Sequence, residues 1–312
     1  MPMVGVAMRS SLAHAAAPPA QAPARDDQAT PARHPPRAPG QPRCLAIIPA
    51  FNERESVGKL VTRLRRALPG YDLLVIDDGS TDDTPRQVPP GATVVSLPFN
   101  LGIGGAMQTG YRYAMLHGYD VAVQVDADGQ HRPSEVKRLV AHLLTGQADL
   151  VVGSRFLEPG KYRQTIARLT GSWVLKALIQ SLTGLHITDC TSGFRAVNAK
   201  VIRAFAHWYP EDYPEPEVIL LLHRAGYKID ELAVRMRQRK TGQSSIPLLE
   251  GLFYVVKLAS CLVLDMFREP WPSGKVLRGD PGDDGNDRAV EPDPADLRWE
   301  PAAAGGPPTP PV

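Results

Sequence analysis

The sequence DADGQH, at residues 126–131, places two carboxylates one residue apart directly after a short apolar run. Asp126 and Asp128 are hard oxygen ligands of the kind that Mg²⁺ or Mn²⁺ prefers, and such an ion is usually shared with phosphate groups. Gln130 offers a third oxygen, whereas His131 would favour softer metals. Taken alone, the segment is interpreted equally well as an aspartate-rich turn that caps the following helix.

Two further acidic loops follow apolar runs of the same kind. Asp77 and Asp78 stand before Gly-Ser-Thr, and Glu53 follows PAFN. Aspartates at a strand end can hydrogen-bond a ribose hydroxyl or a base N–H, although the residues after them could equally be helix caps. Three acidic loops at one sheet edge would repel one another unless a cation or a polar ligand used them. The combination favours a nucleotide and metal site.

Side chains suited to an anion follow the fifth apolar run. Arg155 comes directly after it, and Arg168 and Ser172 are four residues apart in the next helical pattern, so both could point at one anion. A phosphate acceptor is already ionised near neutral pH and needs cations, whereas a hydroxyl acceptor needs a general base. Singly, Arg155 could be a surface ion pair and Arg168 a solvated residue; together they favour a phosphate.

The elements that position these residues form an α/β pattern from Cys44 onward. Short apolar runs predict buried strands, and helical spacing between them predicts helices. This alternation predicts a mainly parallel, Rossmann-like sheet flanked by helices, whose ligands bind beyond the carboxyl ends of the strands. The predicted strands are CLAIIP, DLLVID, ATVVSL, VAVQVD, DLVVGS and KIDELAVRMR, and the predicted helices are 56–68, 105–117, 134–144, 166–182 and 216–225, with DCTSGFRAVN a loop or strand. GIGG lacks the third glycine of a dinucleotide motif and predicts a tight strand-to-helix turn.

The two ends of the 312-residue chain differ in composition from its centre. Proline is concentrated in residues 1–42 and 273–312, which predicts disordered tails around a folded domain at 43–245. The opening residues fit a signal peptide poorly, and three widely spaced cysteines show no disulfide framework, so a cytosolic protein is expected. A net charge of +2 gives no support for nucleic-acid binding.

A further helix is predicted at 246–272. The segment approaches the length of a membrane span, but charged residues interrupt it. On a helix its polar residues form one narrow stripe, made of Glu250, Tyr254, Lys257, Cys261, Asp265 and Arg268. The wide apolar face favours docking on a membrane surface or a partner, with core packing as the alternative.

Six motifs in this order resemble the inverting GT-A glycosyltransferases of family 2, which include dolichyl-phosphate mannose synthases and bacterial polyprenyl-phosphate sugar synthases. They are IIPAFNE, VIDDGSTDDT, NLGIGGAMQTGYRYA, VDADGQH, VGSRF and SGFRA. The resemblance implies a GT-A fold and metal-dependent, inverting transfer of a sugar from a UDP- or GDP-sugar to a polyprenyl or dolichyl phosphate. It also implies attachment to the inner face of the cell membrane, by the lipid surface or a small membrane protein partner.

The resemblance assigns roles to individual residues. The nucleotide sugar would be held by Pro49, Phe51, Glu53, Asp77, Asp78, Asp126, Ala127, Arg239 and Lys240. The metal, Mg²⁺ or Mn²⁺, would be held by Asp126, Asp128 and Gln130, and the acceptor phosphate by Arg155, Arg168 and Ser172. Asp128, Arg239 and Asp189 are the implied catalytic residues. Ser245 stands where the mannose synthases usually carry lysine, so GDP-mannose is not implied as the donor.

Two alternatives stay open. A glycosyltransferase of polysaccharide or cell-wall assembly would act on a hydroxyl acceptor and would need a base carboxylate, with Asp189, Glu215 or Glu217 as candidates. A catalytically silent scaffold would bind the nucleotide sugar without transferring it.

Overall fold

The computed structural model describes residues 40–158, 166–211, 214–237, 257–264 and 266–267; in the helix that begins at Ile166, side chains are described from Trp173 onward. The described residues exclude most of the predicted N-terminal tail and all of the predicted C-terminal tail. They also exclude Arg239 and Lys240. Of the predicted helix at 246–272, the structure describes 257–264 and 266–267.

A seven-stranded sheet forms the centre of the fold. Its strands are β1 (Cys44–Ala50), β2 (Tyr71–Asp77), β3 (Thr93–Ser96), β4 (Val121–Gln124), β5 (Leu150–Ser154), β6 (Arg195–Asn198) and β7 (Ile229–Ala233), in the order β3-β2-β1-β4-β6-β5-β7. All neighbours pair in parallel except β6, which is antiparallel to both β4 and β5. Strands β1 to β5 therefore run in one direction, and the loops after them meet at one sheet edge. The mainly parallel sheet is confirmed.

Helices cover both faces of the sheet. They are α1 (Val57–Ala67), α2 (Gly102–Leu116), α3 (Pro133–Leu144), α4 (Ile166–Thr183), α5 (Ala199–His207) and α6 (Pro214–Arg224). All lie where helical spacing predicts them except α5, which sequence analysis missed. This helix begins directly after β6, where the Asn198 side chain accepts hydrogen bonds from the backbone N–H groups of Lys200 and Val201. Such an N-cap stabilises a helix start by about 1 kcal/mol, and its signal was the asparagine before an apolar, helix-spaced run.

Two hydrophobic clusters hold the sheet between the helices. Side chains alternate across a strand, so β1 sends Ala46 and Ile48 into one cluster and Leu45 and Ile47 into the other. The first cluster contains residues of α1 and α3, and the second contains residues of α2, α5 and α6. Glycine at position 110 allows helix α2 to lie close to β1. A Cβ atom placed on Gly110 would be only 2.4 Å from Cγ2 of Ile47. The packing fixes the sheet edge where the polar loops meet.

A third cluster joins α4 and α6 to residues near the carboxyl end of the described chain. Residues 257–264 are helical, and Leu258 and Leu262 are fully buried against residues that include Leu175 of α4 and Leu220 of α6. One face of this C-terminal segment therefore packs on the protein. No helix among the described residues is both long enough and apolar enough to cross a membrane.

Candidate active site

The loops after β1 and β2 are hydrogen-bonded to each other. The Asn52 N–H donates to Oγ of Ser80 (3.0 Å), and Oδ1 of Asn52 accepts from the Thr81 N–H (2.9 Å). Asn52 has a φ of 54°, a left-handed conformation that asparagine adopts more readily than most residues. The Glu53 N–H donates to Oγ1 of Thr84 (2.8 Å). These bonds fix the loop that carries Phe51, whose side chain is 45% exposed. Sequence analysis did not anticipate this support.

Asp77 and Asp78 are almost fully buried at the end of β2. Oδ1 of Asp77 accepts from the Ser80 N–H (3.2 Å), and Oδ1 of Asp78 accepts from the Leu101 N–H (2.8 Å). Burial raises the pKa of Asp78, while backbone N–H groups at Leu101 and Gly102 oppose the shift. Asp78 thus fastens its turn to the loop before α2. Both aspartates lie at the carboxyl end of β2, and Asp78 also supports the loop structure.

Asp126, Asp128 and Gln130, the candidate metal site, lie in the turn between β4 and α3. The Asp126 side chain is 39% exposed. Oδ1 of Asp128 accepts from the Gln130 N–H (2.9 Å), and Nε2 of Gln130 donates to Oδ2 of Asp128. Ala127 is buried between the two aspartates. The turn therefore presents two carboxylates and one carboxamide together.

This donor set fits a hard divalent cation that shares its remaining positions with phosphate oxygens. Within the described ranges there is no group of three or more His, Cys, Asp or Glu side chains that could hold a metal. The third predicted ligand atom is Oε1 of Gln130, and its use requires rotation of the carboxamide, whose Nε2 donates to Asp128. Gly193 packs closely beside the site, since an added Cβ atom would be 2.7 Å from Nε2 of Gln124, which donates to Oδ1 of Asp126.

His131 holds Asp126 in place. Its Nδ1 atom accepts the Asp126 N–H (3.1 Å), so the ring proton lies on Nε2, which is 3.6 Å from Oδ2 of Asp126. The buried ring stacks on Phe194 with centroids 4.2 Å apart. Burial lowers the pKa of His131, and the charge of Arg155 lowers it further against the opposing effect of Asp126 and Asp128. His131 is therefore neutral near pH 7 and supports the candidate metal site from behind.

Arg155 and Asp189 form a two-point ion pair. Nε of Arg155 is 2.7 Å from Oδ2 of Asp189, and Nη2 is 2.7 Å from Oδ1. The Arg155 N–H donates to Oδ2 as well (3.0 Å), and Nη2 also donates to Oγ1 of Thr191 (3.0 Å). Asp189 has no exposed surface. Its carboxylate therefore holds the arginine in one orientation and is not exposed to a ligand.

Glu231 of β7 supports this pair through hydrogen bonds to the backbone of Asp189 and to Thr188. Sequence analysis missed this residue. Its Oε1 accepts the Asp189 N–H (2.8 Å), and Oε2 accepts the N–H (2.7 Å) and Oγ1 (2.9 Å) of Thr188. Burial raises the pKa of Glu231, while the N–H groups of Thr188 and Asp189 oppose the shift. The only signal in the sequence was a glutamate within a strand pattern.

Arg195 and Glu215 lie beneath the SGFR loop. Arg195 is fully buried and donates from Nε to the Ser192 carbonyl oxygen (2.7 Å) and from Nη2 to the Glu215 carbonyl oxygen. Burial raises the pKa of the Glu215 carboxyl, with the Arg195 charge opposing and the Asp126 charge reinforcing this effect. Arg195 joins the loop to the start of α6.

The remaining predicted residues are placed in part. Pro49 lies at the end of β1. Arg168 and Ser172 lie four residues apart within α4, as predicted, but their side chains are outside the described residues. Arg239 and Lys240 are also outside them.

Comparisons with known proteins agree on one family. The family model described as glycosyl transferase family 2 matches residues 45–205, more than half of the chain. The chain is 36% identical to the undecaprenyl-phosphate mannosyltransferase of Micrococcus luteus, over 65% of this chain and 87% of that protein. It is 32% identical to the polyprenol monophosphomannose synthase of Mycolicibacterium smegmatis, over 69% of this chain and 86% of that protein.

Solved structures share the fold. Glucosyl-3-phosphoglycerate synthase from Mycobacterium tuberculosis, crystallised with Mn²⁺, UDP-glucose and phosphoglyceric acid, superposes with a TM-score of 0.56 at 21% identity. The superposition covers 76% of this chain and 91% of that chain.

Proposed function

Because the chain belongs to glycosyl transferase family 2 and is a glycosyltransferase with the GT-A fold, we propose that it transfers a sugar from a nucleotide sugar to a polyprenyl phosphate. Two relatives, 36% and 32% identical over the matched regions, carry names that describe a mannose joined to a polyprenyl phosphate. The observation that carries the proposal is Arg155, which Asp189 holds in one orientation and whose charge acts on His131, the neighbour of the candidate metal site. A fixed guanidinium is suited to an anionic acceptor.

The donor is proposed to bind across the loops after β1, β2 and β4. Phe51, Glu53 and the Asp77–Asp78 turn would contact the nucleoside, with Pro49 and Ala127 shaping the backbone around it. Asp126, Asp128 and Gln130 would hold Mg²⁺ or Mn²⁺, which neutralises charge on a diphosphate when bound. His131 keeps Asp126 in position for this. Arg239 and Lys240 are proposed to add positive charge over the diphosphate.

The reaction is proposed to be one displacement at the anomeric carbon. An oxygen of the acceptor phosphate forms a new bond to the anomeric carbon. The bond between this carbon and the nucleoside diphosphate breaks, and its electron pair leaves with the diphosphate. The configuration at the carbon inverts. A phosphate monoester is ionised near neutral pH, so no protein base has to remove a proton. Arg155, with Arg168 and Ser172 of α4, would hold the acceptor in line.

A hydroxyl acceptor is the competing proposal, because it requires a base carboxylate. Asp189 and Glu217 are poorly placed for this role, since both are buried and Asp189 is paired with Arg155. Glu215 is the stronger candidate, because it is only partly buried and the charge of Asp126 acts on its carboxyl. Loss of transfer in Glu215→Gln, combined with normal transfer in Arg155→Ala, would favour a hydroxyl acceptor.

A lipid acceptor also requires contact with a membrane surface. Helix α4 exposes Trp173 and Val174, and the C-terminal segment exposes Val263, Leu264 and Phe267. Other residues of these two elements pack together in the third cluster. The exposed apolar side chains are not used in this packing and can contact another surface. We propose that a lipid bilayer is that contact, at the cytoplasmic face of the cell membrane; a small membrane protein partner is the alternative outcome of a binding test.

The decisive experiment is a product assay with the full chain. Mannose-, glucose- and N-acetylglucosamine-containing UDP- and GDP-sugars are each offered with a short polyprenyl phosphate, with and without EDTA, and lipid products are identified by mass. We expect one nucleotide sugar to give a glycosyl phosphate lipid, and EDTA to abolish the product. Nucleotide binding without transfer to any polyprenyl phosphate would contradict the proposal and would leave the hydroxyl acceptor or the silent scaffold.

A further inference from the structure

Lys176 continues the row of α4 that carries the predicted acceptor residues. It lies four residues after Ser172 and eight after Arg168, and positions at this spacing share one side of a helix. Its Nζ atom lies 4.5 Å from the centroid of the Phe156 ring, and Cζ of Arg155 lies 5.3 Å from the same centroid. The ring of Phe156 thus brings two cations from different elements to one place.

The charge of Arg155 is already matched by Asp189. Two of its nitrogens donate to both oxygens of this buried carboxylate, so the pair carries little net charge. A phosphate monoester carries between one and two negative charges near neutral pH. Arg155 can therefore orient such a group, but neutralising it needs another cation within reach.

Lys176 lies in position to be such a cation, in addition to the proposed Arg168. The half-buried side chain reaches over Phe156 toward Arg155, and its charge also acts on Cys190, next to Asp189. A cation–π contact keeps an ammonium beside a ring without using its three N–H donors. These donors stay suited to an incoming anion.

We propose that Lys176 is a further acceptor-binding residue, which binds the phosphate of the acceptor together with Arg155. The inference rests on the proposed function, because it names the residue that recognises the acceptor's phosphate. The structural alternative is that the lysine stem only covers the Phe156 ring. A second alternative is that the ammonium binds phosphate headgroups of the bilayer.

The test compares Lys176→Met, which keeps an apolar stem over the ring, with Lys176→Arg, which keeps the charge. Lys137→Ala, an exposed lysine of α3, is the matched control. Initial rates are measured with the full chain and a short, water-soluble polyprenyl phosphate, first without vesicles and then with anionic phospholipid vesicles. We expect Lys176→Met to raise the acceptor KM roughly tenfold or more, as for loss of a charge-assisted hydrogen bond. The donor KM and kcat should change little, and Lys176→Arg should restore most of the acceptor KM.

Other results would overturn the inference in distinguishable ways. An unchanged acceptor KM in Lys176→Met would remove Lys176 from the acceptor site and leave the proposed function intact. Equal increases in donor and acceptor KM, with a lower Tm, would indicate a structural role. A loss seen only with anionic vesicles would assign Lys176 to lipid headgroups. Failure of the wild-type protein to use any polyprenyl phosphate would overturn the proposed function itself and this inference with it.

Discussion

Gln130 is bonded to Asp128 in the structure and is proposed to bind the metal. Its Nε2 donates to Oδ2 of Asp128, so the carboxamide must turn before Oε1 can face a cation. Asp126, by contrast, is held at its backbone N–H by His131, and its Oδ1 accepts a hydrogen bond from Nε2 of Gln124 (3.2 Å). The candidate metal site thus combines one fixed carboxylate with a carboxylate–amide pair that must rearrange.

The first prediction concerns this rearrangement. Gln130→Ala should raise the Mg²⁺ or Mn²⁺ concentration needed for half-maximal activity by roughly tenfold, because one oxygen ligand is lost. Metal titrations of activity would measure the shift, and an unchanged Tm would show that the fold is intact. Gln130→Glu should keep apparent metal affinity near that of the wild type. An unchanged metal requirement in Gln130→Ala would rule out the ligand role.

Asp189 is predicted to act through Arg155 and not as a base. Asp189→Asn removes the charge that orients the guanidinium, so we expect a rise in acceptor KM of roughly tenfold or more with retained kcat. Glu231→Gln should have a smaller effect in the same direction and lower the free energy of unfolding by about 1–3 kcal/mol, since it weakens three hydrogen bonds to Thr188 and Asp189.

The control for this pair is His142→Gln. His142 contacts Asp230, the neighbour of Glu231 in β7, but lies on α3 away from the Arg155 pair. It should leave the acceptor KM unchanged. A base role for Asp189 would instead appear as a loss of kcat without a change in acceptor KM.

At the scale of elements, the C-terminal segment is the least expected feature. Sequence analysis favoured docking on a membrane or partner over core packing, and the described part does pack on the protein through Leu258 and Leu262. It also exposes Val263, Leu264 and Phe267. A helix with a wide apolar face can pack on the protein and still expose apolar residues, because part of the face is enough for the packing.

Cysteine reactivity tests the packing of this segment. Cys44 and Cys190 are buried, and burial raises the pKa of the Cys190 thiol to about 12, whereas Cys261 is only partly buried. We expect iodoacetamide to modify Cys261 first in the native protein and all three cysteines after unfolding, as mass spectrometry would show. Leu262→Ala should speed modification of Cys261 by loosening the segment, and Leu116→Ala, at an exposed position of α2, should not. Equal rates for the three native cysteines would contradict this packing.

At the scale of the whole molecule, the proposed chemistry joins a water-soluble donor to a lipid acceptor. The donor loops and Arg155 gather at one edge of the sheet, while exposed apolar residues gather on α4 and the C-terminal segment. Helix α4 connects the two, because it carries Arg168, Ser172 and Lys176 as well as Trp173. The proposed acceptor site and the proposed bilayer contact therefore share this helix.

Membrane attachment is predicted to depend on the exposed apolar residues. The full chain should float with phospholipid vesicles, and the double variant Leu264→Asp/Phe267→Asp should remain largely in the soluble fraction, because charged side chains oppose insertion at the interface. Leu116→Asp, at another exposed leucine, is the matched control and should float like the wild type. Identical flotation of the double variant would place the contact elsewhere, and flotation only with native membranes would favour a protein partner.

The amino-acid sequence by itself determined every described strand except β6, most helices and the six motifs, because each depends on residues that are close together in the chain. Periodicity places Asp126 and Asp128 at a strand end without knowledge of the partners of that strand. The tertiary structure alone decided that β6 lies antiparallel between β4 and β5. It alone paired Arg155 with Asp189, 34 residues away, and Glu231 with Asp189, 42 residues away. It also brought Lys176 beside Phe156 and Leu258 against α4 and α6. Such contacts follow from how elements pack, and no local pattern of residues encodes them.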